Sequence, residues 1–480
     1  MRNKKILSLT LILLLGLLLA ACGGAATPAP EQPAVEAPAA MEEPAAAAPA
    51  ETEEPAAEAP AATEEPAAAA ATEEAVAAAE CAEPVTIEFW HINTADDRKG
   101  VIQQAVDAFE KDNPCAKVNQ TILENEAFKA KMTTVMQSDE PPDVFTTWGG
   151  GVMNEYAKAG LLRDITEDIQ QDGLADTFGA GPLAVYAYEG KQYGLPMDQG
   201  MVGFWYNKEL FDQAGIEAPP ATWTELLDAV QKLKDAGITP ISLGEGDKWP
   251  GHFWWVYLAI RMGGKEAFDA AYSRQGSFAD EPFVQAGEKL QELIALEPFQ
   301  DGYLGLTYDD QATLMGNGQA AMELMGQWAP GVEKDHSANK EGIGDNLGWF
   351  PFPMVEGGKG DPADALGGGN GWLVGRDAPA ETITFLKYLS SKEFQCGATE
   401  INWILPVVKG TEECITDPLM KTVAENAAKA PYLQLYYDQA LPPAVGSVVN
   451  DAVQELFAGT KSPEEVAQTI EDSATMELAQ

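Results

Sequence analysis

The sequence predicts an α/β protein built as two lobes behind a long unfolded tether. Three observations carry this. Strand and helix patterns alternate from residue 85 onward, about 400 residues remain for folding, and residues 23–80 hold no apolar pattern at all. A folding length near 400 exceeds one ordinary hydrophobic core and favours two.

The first residues carry Arg2, Lys4 and Lys5 and run into the apolar stretch Leu11–Leu19, a basic region followed by a short hydrophobic one. That stretch is too short for a resident membrane helix. It ends in Leu19-Ala20-Ala21-Cys22, which resembles the bacterial lipoprotein signal: cleavage after residue 21 would leave Cys22 as the lipidated N-terminus. Residues 22–82 then read as a tether. Its Ala, Pro and Thr are joined by thirteen Glu with no Lys or Arg, and MEEPAAA, TEEPAAE and TEEPAAA recur about every eleven residues. Proline interrupts each helix and the uncompensated charges repel, so the segment stays extended. A lipid anchor in the bilayer and a charged tether together place a globular body on the outer face of the cytoplasmic membrane.

The net charge is −45; the first 21 residues contribute three positive charges and the tether thirteen negative ones, leaving about −35 on the body. So acidic a body repels nucleic acid, anionic lipid and phosphorylated ligands. Four cysteines remain beside Cys22: Cys81, Cys115, Cys396 and Cys414. An even number in an exported chain points to disulfides, and three pairings are formally open. "VTIEFW" (85–90) reads as a strand, "VIQQAVDAFEKD" (101–112) as a helix and "AKVNQTIL" as the next strand. A right-handed parallel crossover starts both strands at one edge and brings Cys81 near Cys115. Cys396 and Cys414 flank a short loop region and pair by default; buried free thiols are the alternative.

The alternation continues with a helix over about 126–138, the strand and glycine turn of "PPDVFTTWGGG", and a helix over 151–159. In "TWTELLDAVQKLKDAG", Thr222 and Glu225 stand as a capping box, Leu226, Val230 and Leu233 share a face and Gly237 ends the helix. "ITPISLG" reads as a strand. This pattern predicts mostly parallel sheets.

Eleven tryptophans are present, many beside glycine or polar residues. An indole face stacks on the C–H face of a pyranose while polar neighbours bond its hydroxyls, so Trp90, Trp148, Trp249, Trp328 and Trp403 point to an uncharged polyhydroxylated ligand. The opposing reading of any one tryptophan is core packing.

Four stretches together resemble the extracellular solute-binding family that includes the maltose-binding protein. They are "PPDVFTTWGGGVMNEYAKAGLLRDIT" (141–166), "YGLPMDQGMVGFWYNKELFDQAGI" (193–216) with "PATWTELLDAVQKLKDAGITPI" after it, "NGQAAMELMGQWAP" (317–330), and "FPFPMVEGGKGDPADALGGGNGWLV" (350–374). The resemblance covers 84–480. It implies a type II periplasmic-binding-protein-like fold: two lobes, each a mixed sheet flanked by helices, with a ligand cleft between them. Lobe 1 is then 84–198 plus 368–428 and lobe 2 is 203–355 plus 430–480, with crossings near 199–202, 356–367 and 429. It further implies a monomeric substrate-binding component of an ABC sugar importer, without cofactor, that hands its carbohydrate to the membrane permease. Site candidates on this basis are Trp90, His91, Glu126, Asp143, Trp148, Gly149, Trp249, His252, Trp328, Asn370 and Trp403.

No catalyst is expected. The chain has no G-x-x-x-x-G-K-[ST], G-x-S-x-G or H-E-x-x-H motif, and His91, His252 and His336 are too scattered for a metal site. Asp309-Asp310 invites a glycosidase reading, but acidic pairs arise freely at this composition. Receptors for polyamine, iron or phosphodiester ligands, and a receptor that only signals, are the other readings of the same fold.

Overall fold

The computed structural model describes residues 81, 84–138, 140–171 and 173–478. Cys22, the leader and all of 22–82 except Cys81 lie outside the described residues.

Lobe 1 begins with strand β1 (Val85–His91), helix α1 (Asp96–Asp112) and strand β2 (Ala116–Ile122). Helix α1 buries Val101, Ile102, Ala105, Val106 and Phe109, the stripe its spacing predicts. β2 runs parallel to β1 with Val85 opposite Ala116, so the crossover does bring the strand starts together. The Cys81–Cys115 disulfide joins them, and Cys396–Cys414 is the second bridge. Each bridge restricts the unfolded chain, a contribution of about 3 kcal/mol.

Helix α2 (Asn125–Val135), strand β3 (Val144–Thr147), helix α3 (Gly150–Lys158) and strand β4 (Gly194–Pro196) complete the first pass. Strand β5 (Asp198–Met201) leads out of the lobe into β6 (Gly203–Asn207). In lobe 2 follow α4 (Trp223–Asp235), α5 (Trp249–Tyr272), α6 (Glu281–Ile294), α7 (Tyr308–Gly316), β7 (Met322–Met325), α8 (Ala329–His336) and β8 (Leu347–Phe350). The Thr222 and Glu225 capping box starts α4 as expected. The chain returns through β9 (Ala365–Gly368) and β10 (Gly371–Val374), then forms α9 (Glu381–Leu389), α10 (Lys392–Glu400) and β11 (Leu405–Pro406). It ends with α11 (Pro418–Lys429), β12 (Leu433–Leu435), α12 (Tyr437–Ala440), α13 (Pro443–Phe457) and α14 (Pro463–Glu477).

The lobe 1 sheet has the order β2-β1-β3-β10-β4, with β10 antiparallel to both neighbours. Alternation along its strands fills two cores. Ile87, Phe89, Val144, Trp372 and Val374 face α1 and α9, while Phe145 and Leu373 face Phe128 and Met153. The three strands of the lobe 2 sheet, β8-β6-β7, pair antiparallel, and a parallel bridge from Ile241 to Met322 of β7 makes this sheet mixed as well. The expectation of mostly parallel sheets is therefore corrected to mixed ones: helix and strand alternation specifies layers but not strand direction. "ITPISLG" forms only bridges at Ile241, to Phe299 and Met322, rather than a full strand. A third sheet, β11-β5-β9-β12, carries the crossings between lobes.

Lobe 2 is the larger core. Phe204, Trp205, Trp254 and Phe352 pack with Val449, Val453 and Ile470 of the last two helices. Ile415, Met420 and Val423 join this core as well, although the sequence partition assigns 368–428 to lobe 1. An apolar stripe on α11 does not say which of two cores it meets. Arg261, 2% exposed, ties α5 to the returning segment. Its guanidinium donates to the carbonyls of Phe352 (2.9 Å), Pro353 (3.1 Å) and Asp364 (2.8 Å), which satisfies a charge that is costly to bury alone.

Candidate functional site

The carboxyl ends of the parallel strands β1, β2 and β3 all open on one cleft of about 730 Å³, the place where open α/β sheets present ligand groups. After β1 come Asn93 and Arg98, after β2 come Glu124, Glu126 and Lys129, and after β3 comes Trp148. Lobe 2 supplies the facing wall with Asp247, Trp249, Tyr308, Gln327 and Trp328. Asp198, Asn370 and Asp438, from the crossing segments, form the floor.

Local sequence explains how each indole is held. Trp328 precedes α8, and its ring folds back over Gly326, where a β-carbon would lie 2.2 Å from the indole. Trp205 fixes the same turn by donating its indole N–H to the Gly326 carbonyl (3.0 Å). Trp249 opens α5 behind Lys248 at φ 67° and ahead of Pro250. Its ring lies edge-on to Tyr308 (4.9 Å between centroids) and Phe253 (5.5 Å) and 6.5 Å from Trp328, so lobe 2 presents a continuous aromatic wall. On lobe 1, Trp148 is braced edge-on by Phe128 at 6.3 Å. All three indoles are only half-buried.

Polar groups complete the cleft. Gln327 Oε1, Tyr436 Oη, Trp249 Nε1 and Arg98 Nη2 are shielded from solvent and have no hydrogen-bond partner among the described residues. Such groups cost free energy unless a ligand pairs them. Asp198 is held from two sides by Asn370, through its backbone N–H (2.6 Å) and its side-chain amide (2.9 Å). Burial pushes the Asp198 carboxyl up to about 7 against the pull of those donors.

Of the candidates read from sequence, Glu126, Trp148, Trp249, Trp328, Asn370 and Trp403 line the cleft. Asn370 is committed to Asp198, and Trp403 is 3% exposed and braced by Phe394, so both serve the cleft mainly from behind. Five candidates lie outside the lining, for identifiable reasons. Trp90 packs on the Phe128 core because its neighbours Phe89 and His91 point to the other face. His91 is fully buried, bonded to Gln120 (3.1 Å), and burial lowers its pKa to about 4. Asp143 accepts the Glu88 N–H (2.8 Å) and locks β3 to β1. Gly149 makes the turn at φ 69°, its N–H donated to Thr147 Oγ1. His252 is buried with Nε2 3.7 Å from Asp438, one layer beneath the cleft.

Sequence reasoning missed Arg98, Lys129, Gln327, Tyr436 and Asp438. Gln327 sits inside the stretch 317–330 that carries the family resemblance and was within reach; the others stand in unremarkable segments. The Asp309-Asp310 pair divides its work: Asp310 caps α7 with Thr307, and Asp309 meets His336 at 3.5 Å on the cleft wall.

Helix α8, which carries Trp328 at its start, is anchored by two buried carboxyls. Glu333 meets Glu323 of β7, and Gln311 donates to Glu323 (2.9 Å). Burial raises both, Glu323 to about 7 and Glu333 well above the ordinary 4.5, where their mutual repulsion adds to the effect. A folded-state pKa above the unfolded one means the pair stabilises fully at acid pH and loses that contribution as pH rises through the folded value. Melting temperature should therefore fall between about pH 5 and pH 8, and Glu333→Gln should flatten that slope. Parallel melts of both proteins across this range check it.

A two-lobed fold whose lobes present opposed aromatic and polar walls defines a solute-binding protein. The model of the bacterial extracellular solute-binding protein family matches residues 95–395, and the chain belongs to that family. Among relatives, a multiple sugar-binding protein of Streptococcus mutans is 23% identical over 357 residues, 70% of this chain and 78% of that protein. A solved structure from work on xylan utilization by the thermophilic bacterium Caldanaerobius polysaccharolyticus is 30% identical, with a TM-score of 0.76 over 81% of this chain and 99% of that one. A chitin oligosaccharide binding protein is 29% identical, with a TM-score of 0.77 over 83% and 100%. The fold is accordingly the type II periplasmic-binding-protein-like one, with a mixed sheet and flanking helices in each lobe.

Proposed function

We propose that this protein is the substrate-binding component of an ABC importer, capturing a mono- or oligosaccharide outside the cell and delivering it to a membrane permease. The observation that carries the reading is the cleft itself, where indoles on opposite lobes flank unpartnered polar groups. Indoles bind a pyranose by its C–H faces, and the polar groups bond its hydroxyls. Relatives described as binding multiple sugars and chitin oligosaccharides support the same reading. Function then requires only that the ligand touch both lobes and favour their closed arrangement. No bond in the ligand need break, so the sugar is handed over unchanged. Cys22 would carry the lipid that keeps the monomeric receptor at the outer face of the cytoplasmic membrane, with the Ala/Glu/Pro tether giving it reach.

Titration of the purified, refolded chain with mono- and oligosaccharides, followed by tryptophan fluorescence, tests this. A saturable change with one sugar class, and full recovery of that sugar, is the expected result. Response to spermidine alone, or recovery of cleaved sugar, would overturn it.

A further inference from the structure

A lysine on a helix surface ordinarily keeps its hydrated ammonium in solvent. Lys129, on α2 of lobe 1, departs from that rule: its side chain is only 29% exposed and lines the cleft. On its own lobe it pairs with Glu126, one turn back, at 2.7 Å. From there its ammonium stands over two indoles at once, 5.5 Å from the ring centre of Trp148 on lobe 1 and 5.8 Å from that of Trp249 on lobe 2. At both distances an aromatic face attracts an ammonium. Lys129 also acts on Asp247 of lobe 2: burial raises that carboxyl first, and the Tyr308 N–H and the Lys129 ammonium pull against the rise. One lobe 1 side chain therefore holds both an aromatic and an acidic group of lobe 2.

A second lobe 1 cation makes the same crossing. The Arg98 guanidinium reaches the first turn of α8 on lobe 2, where a β-carbon on Gly331 would lie 2.8 Å from Nη2. The lack of a side chain at Gly331 leaves room for it.

The Lys129 contacts conflict with the ligand. A pyranose stacked on Trp148 or Trp249 takes the space in which the ammonium stands, so sugar and ammonium exclude one another from these two faces. An ammonium pushed off the indoles keeps its partner, because Glu126 lies on the same helix. We propose that Lys129 is a built-in competitor for the saccharide: in the empty receptor its ammonium rests on Trp148 and Trp249 and draws the lobes together, and the saccharide displaces it. The inference rests on the saccharide reading above. Contacts made only in the empty receptor lower the free energy of that state alone, and so weaken binding.

Calorimetric titration with xylose and N-acetylglucosamine oligomers, joined to small-angle scattering without sugar, tests this on the purified chain, Lys129→Met and Lys129→Arg. Methionine keeps the unbranched stem and the helix propensity while removing the charge. Lys129→Met should bind whichever oligomer the unaltered protein binds about fivefold tighter, as expected for the release of two exposed cation–π contacts. Without sugar it should show a larger radius of gyration than the unaltered protein. Lys129→Arg, which keeps a cation over the rings, should reverse most of both changes. Equal or weaker binding by Lys129→Met would overturn the inference, since the lysine would then stand aside from the sugar or bond to it. Tighter binding with an unaltered radius would overturn it as well, because Lys129 would not be drawing the lobes together. Binding of no saccharide by any of the three proteins would overturn the underlying reading instead.

Discussion

Gly151→Val should weaken ligand affinity roughly a hundredfold, about 3 kcal/mol, while leaving the ligand-free protein folded. Gly150 and Gly151 begin α3 on lobe 1, against the chain at 439–442 that follows the crossing strand β12 and joins the lobe 2 core through Tyr437 and Leu441. A β-carbon at Gly151 would lie 2.2 Å from the Leu441 carbonyl oxygen and 2.4 Å from its carbon. No backbone atom yields cheaply at that distance, and Gly151 itself has no left-handed φ, so the contact alone demands glycine. The lobes must then rest further apart, and the ligand spends part of its binding free energy on an arrangement it no longer reaches. Affinity by calorimetry and lobe separation by small-angle scattering, with and without sugar, check this. Unaltered affinity and an unaltered compaction on binding would show that 439–442 does not limit closure.

Trp328→Ala should cost about 2 kcal/mol of binding, roughly 30-fold in affinity. The indole is the part of the lobe 2 wall that lies over Gly326, and its removal also unbraces Trp249 at 6.5 Å and Tyr436 at 6.4 Å. Trp328→Phe keeps a ring face and should recover part of the loss. A variant that melts like the parent but binds 30-fold more weakly places the effect in the cleft. A variant that loses stability without losing affinity would assign Trp328 to the core.

How much of this was legible in sequence depended on whether the signal was local. Helix α1, the Thr222 capping box and the turn at Trp148 rest on short-range spacing, and the residues alone were enough to place them. The Cys81–Cys115 bridge was reachable because a parallel crossover fixes where both strands begin. Strand direction in the lobe 2 sheet and the allegiance of α11 depend on contacts between distant segments, which no window of sequence contains. The site shows the same division. Tryptophans among glycine and polar residues marked Trp148, Trp249 and Trp328, although the same setting also holds Trp349 and Trp372, which follow Gly348 and Gly371 and pack in the cores. His91, His252 and Asp143 looked equally promising by residue type and proved to be internal fasteners, since burial and partner choice are tertiary properties. Lys129 and Asp438 gave no signal, because a lone charge on a helix is ordinary until another lobe faces it.

The most direct test of the central claim is a crystal structure of the complex with whichever saccharide saturates the fluorescence change. A pyranose ring lying between Trp148 of lobe 1 and the Trp249 and Trp328 wall of lobe 2, with hydrogen bonds to Gln327 and Tyr436, is the result this account predicts. A sugar bound away from the cleft, or touching one lobe only, would contradict it.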